Sequence, residues 1–218
     1  NTTRAIGKQR HAAACLSMAQ SAEGSEEILK AIELCQMARL LGAPYAECLR
    51  TEAAAYTRLG NFTKAQETWV ALLDEPVESH LPEDYAEAAY TAFEIGNGDH
   101  AMEILGTGIS RYPEDGNFAY RAGWIALLTE RWEDAHRFLT AGDRVGFPNE
   151  KFPKALAMLA IAAAEIGESE EAYAYFNELE KLDPTWAEPE PPQIADWPVE
   201  LQATLRGFVE PPKAVPVE

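Results

Sequence analysis

The apolar residues of this chain gather in Ala-rich windows such as "EDYAEAAYTAFEI", which lack a β-branched run and read as helix. The windows come in pairs. First helices are expected over Ala46–Leu59, Tyr85–Ile95, Asn117–Thr129 and Phe152–Ile166. Second helices are expected over Thr63–Leu73, Asp99–Arg111, Trp132–Arg144 and Ser169–Leu182. Between the members of each pair lie the turns "LGNFTKA", "IGNGDHA", "TERWEDA" and "IGESEEA". Aligned on their last residues, Ala65, Ala101, Ala135 and Ala172, they recur about every 35 residues, the period of a helical repeat.

Glycine stands where the first helix must stop in three of the four turns, at Gly60, Gly96 and Gly167, as a left-handed cap requires. The third turn carries Glu130-Arg131 there, so its cap is expected to form differently. Asn61, Asp99 and Ser169 are the expected N-caps of the following helices, and Pro76, Pro113, Pro148 and Pro184 punctuate the unit ends. Upstream, "AIGKQRHAAACLSMAQSAEG" and "SEEILKAIELCQMARLLGAP" form a fifth, irregular pair in which Ile28 or Ala31 takes the aligned position.

The second turn raises a chemical question. In "FEIGNGDHAMEIL", Gly96, Gly98 and Ala101 fit the G-x-G-x-x-A dinucleotide fingerprint. That motif needs a preceding strand within a strand–helix–strand unit, and here a helix precedes it. The upstream copy also has Phe62 in place of the second glycine. The glycines therefore serve helix termination, and no nucleotide site is expected.

Small residues recur in the first helices (Ala53, Ala89, Gly123, Ala160) and in the second (Ala65, Ala101, Ala135, Ala172). Large apolar residues follow the second set at Trp69, Leu105, Leu139 and Phe176, and "LEKLDP" ends the last unit. With these features the chain resembles the tetratricopeptide repeat (TPR) family from about Ala46 to Pro184. Glu52, where leucine is usual, and Gly108 and Gly142, where alanine is usual, depart from the pattern. The resemblance implies an all-α fold: a right-handed α-α superhelix of about five helical pairs, with a Pro-rich C-terminal extension. Residues 1–45 would form the irregular N-terminal pair, 46–184 four repeat pairs and 185–218 the tail.

The first helices are two-faced. In the third unit Ala119, Gly123 and Ala126 line one side, while Tyr120, Trp124 and Leu127 form a stripe at i, i+4, i+7. The second unit sets Ala89 and Ala92 beside Ala86, Tyr90 and Phe93, and the fourth offers Ala157, Ile161 and Ala164. The resemblance implies that this stripe faces a concave, peptide-binding groove. Packing between neighbouring first helices is the competing reading. The candidate groove residues are Arg50, Arg58, Tyr90, Phe93, Tyr120, Trp124, Leu127 and Ile161, with Lys154 near one end. That set suits a peptide with large apolar anchors and some acidic residues. It does not suit the family's carboxylate clamp, whose asparagine positions hold Ala54, Tyr90 and Trp124 here.

Composition narrows the function classes. The 218 residues are 47% hydrophobic and 25% charged, which suits one domain or a short repeat array with a buried core. Eighteen basic against 36 acidic residues give a net charge of −18, which repels nucleic acid and anionic lipid. No apolar run approaches membrane-spanning length, and no signal peptide is visible. Cys15, Cys35 and Cys48 fit buried thiols in a reducing compartment such as the cytoplasm; one bridge plus a free thiol is the alternative. None of His11, His80, His100 and His136 has a partner at metal-ligand spacing. With no nucleophile or phosphate-loop motif either, neither catalysis nor a cofactor is expected.

The expectation is a non-enzymatic interaction scaffold with a protein or peptide partner. The alternative is a regulatory or assembly domain of a larger enzyme, since the chain begins at Asn1 rather than Met. The tail holds seven of the 14 prolines, yet Trp186, Ile194, Trp197, Leu201, Leu205 and Phe208 are too apolar for a solvated linker. It is expected to form a short amphipathic helix over Pro198–Val209 that caps the last repeat. "WAEPEPPQIADWP" would then run toward the aromatic stripe as a built-in ligand.

Overall fold

The computed structural model describes residues 2–21, 25–188 and 190–209, and among them no strand occurs. The helices are α1 (Thr2–Gln20), α2 (Ser25–Leu40), α3 (Tyr45–Arg58), α4 (Phe62–Leu73), α5 (Pro82–Glu94) and α6 (Gly98–Arg111). They continue with α7 (Gly116–Leu128), α8 (Trp132–Val145), α9 (Phe152–Glu165), α10 (Ser169–Leu182) and α11 (Val199–Val209). The chain divides into two compact units, Asn1–Gly108 and Ile109–Glu218.

In the first unit consecutive helices from α1 to α5 pack on one another, and α3 also touches α1 and α5. Its N-terminal core gathers Cys15, Leu16, Ala19, Ala31, Cys35, Ala38 and Cys48. Ile28, Ile32 and Ala55 form a second cluster against Tyr56 and Leu59. In the second unit α7, α8, α9 and α10 pack in sequence, and α9 also meets α7 and α11.

The aligned small residues are the buried contact points. Ala53, Ala65, Ala89, Ala101, Ala135, Ala160 and Ala172 are wholly buried, as are Leu105 and Leu139. At Gly123 a Cβ atom would overlap the Leu139 side chain, so glycine lets α7 and α8 approach closely. At Gly142, one of the departures from the repeat pattern, the methyl of an alanine would collide with the Phe147 ring and the Ala119 Cβ. Phe147 fills the space that the usual alanine would take. Glu52 is buried too, in an ion pair with Arg39 at 3.4 Å that lacks hydrogen-bond geometry.

The turns share one hydrogen-bond pattern. Asn61 N–H donates to Tyr56 O at 3.0 Å, and Asn97, Arg131 and Glu168 N–H donate to Ala92, Ala126 and Ala163 O at 2.9 Å. This is the Schellman closure, and it needs a left-handed residue one position earlier. Gly60, Gly96 and Gly167 supply it, with φ of 70°, 78° and 87°. The third turn does not form differently: Glu130 itself adopts φ 56° and makes the same turn. The repeat register overrides the local preference of a residue with a Cβ.

Two N-caps also differ from expectation. Asn61 caps α4 by accepting Lys64 N–H at 3.3 Å. Asp99, however, lies inside the first turn of α6, where the Asn97 Oδ1 accepts His100 N–H at 3.3 Å. Ser169 likewise sits inside α10, behind Glu168. Both helices begin earlier than the last cap-forming side chain in the sequence suggests.

Beyond α10 the chain makes two 3-10 turns, Pro184–Ala187 and Pro192–Ile194, before α11. Trp186, Ile194, Trp197, Leu201 and Leu205 are buried. Each such side chain removed from water contributes about 1.5–3 kcal/mol. The Thr204 hydroxyl donates to Glu165 Oε1 at 2.7 Å, tying α11 to the end of α9. Near the C-terminal end of α11 the Phe208 ring stacks on Phe176 of α10, with centroids 5.1 Å apart and an interplanar angle of 14°.

Candidate functional site

The eight candidate groove residues fall into three environments. Leu127 and Ile161 are closed off, with 1% and 0% exposure. In α9 every residue from Ala155 to Ala163 is buried, because α7, α8, α10 and α11 enclose that helix on all sides. Periodicity identified a face of α9, but the enclosed helix has no face left for a ligand. The two residues are packing elements in this structure.

Arg50 is committed as well. Its Nε and Nη2 donate to the two carboxylate oxygens of Asp84 at 2.6 and 2.7 Å, and Nη2 also donates to Ser79 O at 2.8 Å. Asp84 is wholly buried and additionally accepts Leu81 N–H at 2.8 Å, closing the first turn of α5. The hydrogen bond and charge of Asp84 push the Arg50 pKa up, against the opposing effect of burial. Sequence reading placed Arg50 in the groove and missed Asp84 as its partner. The signal was the repeat itself, since the two residues stand 34 positions apart, about one period. Arg50 and the exposed Arg58 also contribute to a pocket of about 240 Å³, which Ala19, Ile28, Ala31 and Ala54 line with apolar surface.

The aromatic residues are half-buried. In the first unit Tyr90 of α5 meets the edge of Phe62 at 6.0 Å, and Phe93 lies one turn further along α5. A hydrogen bond to Glu94, followed by burial, pushes the Tyr90 hydroxyl up to about 12, so it stays protonated and donates. In the second unit Tyr120 packs edge-on against Phe147 at 6.4 Å, with Lys151 Nζ 5.3 Å from its ring centroid. Lys151 also reaches Asn117, another pair 34 positions apart. Trp124 faces Trp197 of the tail, with ring centroids 5.1 Å apart and planes tilted by 49°. Burial, and then the charge of Asp196, raise the Tyr120 hydroxyl.

Three of the four histidines are accounted for by local structure. His80 is buried between the Tyr85 hydroxyl at 3.0 Å and Leu72 O at 3.1 Å. His100 lies 3.3 Å from Glu103, and His136 lies 3.4 Å from Glu171. Among the described residues no cluster of His, Cys, Asp and Glu has the geometry of a metal site. No described helix is long and apolar enough to cross a membrane.

No family model matches the chain, and no curated protein matches it in sequence. Its fold, by contrast, matches solved structures. The crystal structure of MamA protein aligns with a TM-score of 0.65 at 15% identity, covering 81% of this chain and 94% of that one. MamA 41-end from Desulfovibrio magneticus RS-1 aligns with a TM-score of 0.63 at 14% identity, covering 80% and 96%. YrrB, described as a TPR protein with an unusual peptide-binding site, aligns with a TM-score of 0.62 at 13% identity, covering 84% and 92%. At such identities the likeness concerns the fold, and it agrees with the turn geometry, the buried small residues and the period of the helix pairs. The chain has the all-α helical-repeat fold of the tetratricopeptide repeat proteins.

Proposed function

We propose that this chain is a non-enzymatic protein-interaction module that receives a peptide or partner segment on the aromatic faces of its first helices. The observation that carries the reading is the contrast between two stripes of the same helices. The small residues Ala89, Ala92, Ala119 and Ala126 are buried, whereas Tyr90, Phe93, Tyr120 and Trp124 stand half-buried beside them. Large aromatic groups at a partly open surface are the usual anchors of protein recognition. The TPR-type fold supports the reading, and so does the peptide-binding site described for YrrB. With Arg50 neutralised by Asp84, the partner's affinity rests on apolar anchors more than on charge.

A displayed peptide library selected on the whole chain tests the proposal. Peptides enriched on the unmodified chain are expected to lose about 30-fold in affinity on Tyr90→Ala or Phe93→Ala, the cost of about 2 kcal/mol for one aromatic hot spot. Circular dichroism should show both variants folded. Enrichment that is indifferent to both substitutions, or none above the unselected background, would refute the reading.

A further inference from the structure

The tail segment that crosses the second unit is built like a bound peptide. From Pro191 to Trp197 it is irregular, with one 3-10 turn, and it holds on by inserted side chains. Pro191, Ile194 and Trp197 are buried, while Pro192, Ala195 and Asp196 between them are exposed. Two glutamine side chains pin the segment. The Gln193 Nε2 reaches Asp183 and Thr185 at 3.2 and 2.6 Å, and the Gln202 Nε2 donates to Trp197 O at 2.8 Å. Trp197 makes the contact to α7, with its indole against Trp124. Beside that pair, the Lys151 ammonium lies over the Tyr120 ring.

From this geometry we infer that the Asp196-Trp197-Pro198 corner is an internal ligand of the α7 aromatic face. The external partner that competes for this face carries the same chemistry: a tryptophan followed by proline. The inference rests on the proposed role of these faces as interaction surfaces and names the class of partner for the second unit. Each element has a reason. The indole supplies rigid apolar area against Trp124, and the proline holds the corner extended at low entropic cost. A tethered segment acts at an effective concentration of roughly millimolar, so it masks a site whose intrinsic Kd is roughly 30 µM by about 30-fold.

The test uses the full chain and a fluorescent peptide of sequence PPQIADWPVE, which copies residues 191–200. Trp197→Ala should bind this peptide about 30-fold more tightly than the unmodified chain, by fluorescence anisotropy. The gain should disappear when Trp124→Ala is added or when the peptide's tryptophan is replaced by alanine. Trp197→Leu keeps an apolar plug at the corner and serves as the second variant if the alanine variant does not fold. Equal binding to variant and unmodified chain, or no binding to either, overturns the inference. Loss of fold in both variants also overturns it, because Trp197 is then core and not ligand. A dimer of the unmodified chain in light scattering that Trp197→Ala dissociates overturns the internal assignment in favour of tail exchange between copies. None of these outcomes touches the Tyr90 and Phe93 test, so the failure of either proposal can be told from failure of the other.

Discussion

Replacing Arg50 by alanine removes both arms of a bidentate contact to a carboxylate that has no access to solvent. Asp84 is 0% exposed, and without Arg50 its remaining hydrogen bond in the structure is the one from Leu81 N–H. Breaking a buried pair on one side costs about 3–5 kcal/mol, because the surviving charge stays desolvated. The Arg50 side chain is 24% exposed, so water reaches the vacated site and the lower figure of about 3 kcal/mol applies. For a chain of this length that loss corresponds to a fall of about 6–12 °C in Tm, at roughly 2–4 °C per kcal/mol. Urea denaturation followed by circular dichroism, with the first-unit residue Trp69 as a local fluorescence reporter, measures it. The double variant Arg50→Met with Asp84→Leu should recover most of the stability, since an apolar pair of similar volume needs no desolvation. If Arg50 served a ligand instead of the fold, Arg50→Ala would leave the unfolding midpoint within about 0.5 kcal/mol of the unmodified chain, like an ordinary surface change. That result would refute the structural assignment.

Two further predictions rest on single residues. Glu130→Gly relieves a left-handed strain of about 1–2 kcal/mol at an entropic cost of about 0.5–1 kcal/mol, so it should stabilise the chain by about 0.5–1 kcal/mol. A lowered Tm would contradict the turn geometry. Cys35 is wholly buried, and burial, followed by the charges of Cys48 and Glu52, pushes its thiol up to about 12. Its thiolate is scarce at pH 8, so it should stay silent toward a disulfide reagent in the native chain, and all three cysteines should react in denaturant; fast native labelling at Cys35 would refute this.

Much of this architecture could be read from spacing. The glycines at Gly60, Gly96 and Gly167 announce where helices stop, and the small residues after them announce where helices touch. Spacing could not say which face of a helix remains open. Ile161 and Trp124 occupy comparable positions in the pattern, yet one lies in a helix enclosed by four others and the other is half-buried against the tail. The commitment of Arg50 was hidden for a related reason. An arginine on a first helix offers the same local sequence whether its partner is a ligand or a buried Asp one repeat later. Glu130 shows the converse, a residue whose own preference points away from the conformation that its neighbours impose.

The path of the tail bears on how the second unit comes apart. In a stack where each helix pair touches only the next, terminal pairs can fray while the middle stays formed, and unfolding spreads stepwise. Here the chain leaves α10, lays Trp197 on α7, crosses α9 as α11 and returns Phe208 to α10. That loop ties α10 back to α7 across the two helices between them. Fraying of α10 is therefore opposed by contacts made on α7, and partial states lose their energetic advantage. Amides of α7, α9 and α11 should exchange with solvent at a common rate set by one opening event, in place of a gradient that falls toward the chain end.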